Sequence, residues 1–157
     1  SDGMFNIGSL SYHIGEEDRH HGYYAVGYAL GSSPSETSAD KTFNYALWTL
    51  IEQPLLHVGE SHLGAMWQGG TSPASRSTCR HYWGAGLIWS NIPPQMTQVG
   101  LVVNRALYAD GRETDVELTG SFPVCNHFTL QPAVHCINTN GNYTAAAQLR
   151  AILEFGN

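Results

Sequence analysis

The sequence predicts an all-β fold, an antiparallel β-sandwich or jelly roll with room for one short helix. Three observations lead there. Apolar and polar side chains alternate with period two over most of the chain. Gly and Pro residues punctuate the alternating stretches. The length, 157 residues, suits a single domain spanning 1–157, with roughly 70 % of its extended-chain surface expected to be buried.

In chain order, "GYYAVGYAL" (22–30) sorts Tyr24, Val26, Tyr28 and Leu30 to one side and Tyr23, Ala25, Gly27 and Ala29 to the other. One face is bulky and the other nearly bare, which allows close approach of another sheet or chain. "GSSPSETSAD" (31–40) is expected to be a polar loop. "DKTFNYALWTLIEQ" (40–53) fits either a helix striped with Phe43, Leu47, Leu50 and Ile51 or a strand ending before Pro54. "GGTSPASRST" (69–78) is a second polar loop, and "SNIPPQ" (90–95) is a break, since two prolines cannot sit in a central strand.

The segment 97–120 is the clearest hairpin. Val99, Leu101, Val103 and Leu107 share a face; Gln98, Val102 and Asn104 share the opposite one. Asp110-Gly111 supplies the tight turn, and the return limb sets Val116 and Leu118 against Asp115 and Glu117. "TAAAQLRAILEF" (144–155) has strong helix propensity, yet it also alternates cleanly. The strand assignment is preferred because its surroundings read as strands.

Charge and composition narrow the function classes. Seven Lys+Arg against 13 Asp+Glu give a net charge of −6. Without a basic cluster, no nucleic-acid partner is expected. No apolar run reaches ~18 residues, so no membrane insertion is expected. Charged residues make up only 13 % of the chain. Cys79, Cys125 and Cys136 permit one disulfide at most, with Cys125–Cys136 the favoured pair and three free thiols the alternative.

Catalytic and metal motifs are weak. In "HVGESHLGAMWQGG" (57–70), His57 and His62 are five apart, which diverges on a helix and alternates faces on a strand. The i, i+4 zinc-protease spacing is absent. Ser61 lacks the glycine at 63 that a nucleophile elbow needs. Neither a metal, a cofactor nor a catalytic residue is assigned. An enzyme is not expected, although a metal-dependent or Cys/His hydrolase built from dispersed histidines and cysteines stays an alternative.

The densest aromatic–polar cluster is "RHYWGAGLIWSN" (80–91). Rings beside small polar groups can pack on a pyranose while the polar groups read its hydroxyls. The expected contact residues are Trp67, Arg80, His81, Tyr82, Trp83 and Trp89, with loop 31–40 as a rim. The expected function is a non-enzymatic recognition domain for a glycan or cell-surface receptor. Its texture is that of adhesins, virus spikes and phage tail-fibre tips, extracellular or on a virion or phage surface. Homo-oligomers, trimers among them, fit such a setting, and a structural coat, spike or fibre subunit is the other expectation.

Overall fold

The computed structural model describes residues 4–15, 22–34, 41–73 and 78–154. Nine strands follow one another: β1 (Phe5–Ile14), β2 (Gly22–Pro34), β3 (Lys41–Val58), β4 (Ser61–Thr71), β5 (Cys79–Ile92), β6 (Thr97–Tyr108), β7 (Arg112–Cys125), β8 (Phe128–Thr139) and β9 (Asn142–Leu153). They form one sheet in chain order, every neighbouring pair antiparallel. The all-β antiparallel class expected from the sequence is what the structure shows.

The finer arrangement differs. A sandwich needs two sheets, and a jelly roll needs strands that cross over. Here each strand hydrogen-bonds to the next, giving a simple meander in a single layer. The described residues contain no helix. The undecided segment 40–53 lies within β3 from Lys41 on, and that strand continues through Pro54 to Val58. A register shift between Pro54 and Leu56 accommodates the missing N–H donor, as another does between Pro123 and Cys125. The strand preference for 144–155 is matched by β9.

The hairpin expected at 97–120 forms, and it sets the two apolar rows together, with Leu101 opposite Leu118 and Val103 opposite Val116. Asn140 and Gly141, with φ of 54° and 95°, form a two-residue turn between β8 and β9. Positive φ at both central residues is the geometry whose twist matches paired strands, and Asn-Gly tolerates it best. Of the two expected polar loops, 31–34 belong to β2 and 69–71 to β4. Residues 35–40 and 74–77 lie outside the described residues.

Cys125 and Cys136 are not a disulfide; both are free thiols, as is Cys79. Cys125 pairs with Phe128, eight residues from Cys136 along β8, which separates them by about 27 Å. A disulfide requires Cα atoms within about 7 Å.

A single layer has two faces, and the register defines both. One cross-strand row runs Tyr12, Tyr24, Ile51, Trp67, Ala85, Val103, Val116, Cys136, Ala145, one residue from each of the nine strands. Every member is apolar or amphipathic. The adjacent row on the opposite face runs Ser11, Ala25, Leu50, Gln68, Gly84, Asn104, Asp115, Ile137, Thr144 and is mostly small or polar.

The faces also differ in exposure. Val26, Leu47, Leu87, Leu101, Leu118 and Val134 on the apolar face are exposed. Trp48, Leu50, Ile88, Val102 and Ile137 on the polar face are half-buried. A flat sheet would expose both alike, so the sheet bends around its polar side. Among the described residues the only buried apolar side chains are Ala25 and Ala133, both on that inner side. The chain exposes 11053 Å² in all. A compact protein of its mass would expose about 7,800 Å². The large apolar side chains therefore lie on a surface and not in a core.

Candidate functional site

The six residues expected to bind a ligand divide between the two faces. His81, Trp83 and Trp89 alternate along β5 on the outer, apolar face, and Trp67 joins them there through its pairing with Ala85. Tyr82 points to the inner face. Trp67, His81 and Tyr82 border a common groove of about 610 Å³ that opens where Gly69 and Gly70 carry no side chain. Arg80 borders a smaller adjoining cavity of about 210 Å³. Trp83 and Trp89 border neither. The structure thus brings three of the six together.

Aromatic rings lie over glycines on both faces. Tyr28 covers Gly8, Trp67 covers Gly69, and Trp48 lies against Gly27 on the inner face. A Cβ at Gly27 would sit inside the Trp48 indole. The bare inner face of β2 is therefore occupied by a side chain of β3.

The inner face carries a chain of polar contacts across β4 to β8. Gln68 Nε2 donates to the Tyr82 hydroxyl at 2.6 Å, and that hydroxyl donates to Asn104 Oδ1 at 2.8 Å. Gly84, between them, leaves room for both amides. Burial pushes the Tyr82 phenol above its usual pKa, and the carboxylates of Asp115 and Glu117 push the same way; the hydrogen bond from Gln68 opposes them. On β7, residues 113, 115 and 117 share the inner face because a strand alternates. Thr139 Oγ1 donates to Glu113 at 3.1 Å, and His135 Nδ1 lies 3.0 Å from Asp115 Oδ2. Sequence reasoning set Asp115 and Glu117 opposite Val116 and Leu118 but had no means of placing His135 directly across from Glu117.

His57 and His62 form another cross-strand pair that spacing alone did not reveal. A two-residue turn at Gly59-Glu60 sets them opposite each other, with ring centroids 6.1 Å apart. The alternation rule separates them along one strand; a hairpin brings them to one face. Ser61 is buried and donates to the Asn91 carbonyl at 3.1 Å, a structural hydrogen bond.

No protein-family model, curated protein sequence or solved structure matches this chain at a significant level.

Proposed function

We propose that this chain builds the wall of a transmembrane β-barrel, with its apolar face toward lipid and its polar face toward an aqueous interior. One observation carries this reading: the outward face is mostly apolar across the nine strands while the inward face is mostly polar or small. That is the reverse of a water-soluble sheet, which hides its apolar side. Strands satisfy the bilayer's demand that every backbone group be paired within the protein once the sheet is closed and no edge is left open.

The boundary of the apolar band supports a planar slab over a protein partner. Following the ladder outward, Leu47, Thr71, His81, Leu107 and Arg112 lie on one level. On β3 the apolar outward residues begin four positions before that level, at Phe43; on β7 they begin four positions beyond it, at Val116. Between β3 and β7 the edge thus runs obliquely to the ladder and not along one level. Transmembrane barrels tilt their strands by about 35–45°. On β9 the outward row runs from Tyr143 to Leu153, about 34 Å along the strand and about 25 Å once tilted, the height of such an apolar band.

No described helix is long and apolar enough to cross a membrane. That test, like the search for an apolar run of ~18 residues, concerns helices. A tilted strand crosses in about 9–11 residues, and the strands here are 10 to 18 residues long. The wall is completed when its edge strands β1 and β9 find partners, either from further strands of one polypeptide or from other copies.

A second reading, the recognition of a glycan or cell-surface receptor, is favoured by the exposure of Trp67, Trp83 and Trp89 on one face. The two readings separate experimentally. The purified chain is offered to phosphatidylcholine vesicles and, in detergent, to a glycan array. The barrel reading predicts insertion, with heat-modifiable electrophoretic mobility and no glycan signal. A chain that stays soluble without detergent and binds glycans through Trp83, losing that binding in Trp83→Ala, would favour recognition.

A further inference from the structure

We infer that Asp115, Glu117 and His135 form a binding site for a divalent first-row transition cation of the zinc type on the inner face. Asp115 and Glu117 stand two apart on β7 and face the same way; His135 on β8 pairs directly with Glu117. One ligand atom from each lies within 4.8 Å of the others. Edges of a tetrahedral zinc site with bonds of about 2.0–2.2 Å are about 3.3–3.5 Å long, so small side-chain rotations close the set.

The local bonding leaves ligand capacity unspent. Asp115 Oδ2 is engaged by His135, but Asp115 Oδ1 is buried without a hydrogen-bond partner among the described residues. Glu117 has no hydrogen-bond or ion-pair partner among them either. Glu113 extends the same acidic row. The His135–Asp115 contact is the sole ion pair among the described residues. Arg150, on β9, sits beside Gln131 rather than beside this cluster, and Arg105 faces outward. Negative charge on a half-buried face therefore has one partial counter-charge, an imidazole.

The donor set selects the metal. One imidazole nitrogen with two carboxylates suits Zn²⁺, Co²⁺, Mn²⁺ or Fe²⁺; calcium and magnesium prefer oxygen throughout. Three protein ligands leave a fourth position open to the inner space. The inference depends on the register of β7 and β8 and not on what covers the opposite face.

The test is calorimetric titration of the untagged chain in detergent with Zn²⁺, and separately with Co²⁺ followed by visible absorption. One Zn²⁺ per chain is expected; Co²⁺ added alone should give tetrahedral d–d bands that Zn²⁺ then abolishes, and excess Ca²⁺ should affect neither. His135→Ala should weaken binding at least ~100-fold, and Glu117→Gln, which keeps the side chain's shape, at least ~10-fold, since loss of a ligand exceeds the loss of an outer-shell partner. Far-UV circular dichroism checks that each variant keeps its sheet. His57→Ala/His62→Ala should bind as the parent does. Absence of stoichiometric binding, binding unchanged in Glu117→Gln, or loss in the His57/His62 variant alone would overturn the assignment. Vesicle insertion is read separately, so either claim can fail without the other.

Discussion

Trp48 and Gly27 show how a single residue choice shapes this sheet. The indole of Trp48 occupies the space that a side chain at 27 would need. Gly27→Val should therefore destabilise the fold by about 1–3 kcal/mol through overpacking, measured by urea unfolding in detergent. Tyr82 gives a second test at this scale. Its phenol pKa is raised in the folded chain above the ordinary value of 10.0, chiefly by burial. The neutral form is favoured by folding, so the contribution is fully present below pH 10 and is lost as pH rises through the folded pKa. Tyr82→Phe should cost about 1–2 kcal/mol near neutral pH, from the lost bonds to Gln68 and Asn104. It should also flatten the fall in stability above pH 10 relative to the parent. The importance of Gly27 was half visible in the sequence, where the alternation in 22–30 marks a bare face. The ring that fills that face comes from another strand, and sequence spacing carries no register.

At the scale of elements, the turns decide the register. The sequence displays Asp110-Gly111 between two clean alternations; the β6–β7 hairpin forms there, but it turns one residue earlier, at Ala109-Asp110, with Gly111 bonded back to Tyr108. Asn140-Gly141 does the same work between β8 and β9. Gly141 has φ of 95°, a conformation that costs a β-branched residue about 1–3 kcal/mol. Gly141→Val should destabilise by that amount, and hydrogen exchange should rise first along β9, which has a neighbour on one side only. Strand β3 was less legible. Pro54 suggests an ending, yet a bulge absorbs it and the strand runs on to Val58. The His57–His62 pairing follows from that continuation and could not be read from their spacing alone.

For the whole molecule, alternation tells which side chains share a face but not what that face meets. An apolar row covered by a second sheet and an apolar row covered by lipid have the same period, which is why the sequence suggests a sandwich and the structure a single bent layer. The distinction lies in long-range features: the row from Tyr12 to Ala145, the oblique edge of the band, and the polar contacts gathered on the inner side. A charge on the outer face should therefore be costly. Leu101→Arg should lose about 2–4 kcal/mol in vesicles, as for a cation near the bilayer midplane. Val102→Arg, one residue on and facing Glu117, should lose much less. In a water-facing sheet Leu101→Arg would be nearly neutral.

The most direct measurement is quenching of tryptophan fluorescence by brominated lipids in single-tryptophan variants reconstituted in vesicles. Trp67, Trp83 and Trp89 lie on the outer face and Trp48 on the inner one. The barrel-wall account predicts strong quenching of the first three and little of Trp48. Equal quenching of all four, or none, would contradict it.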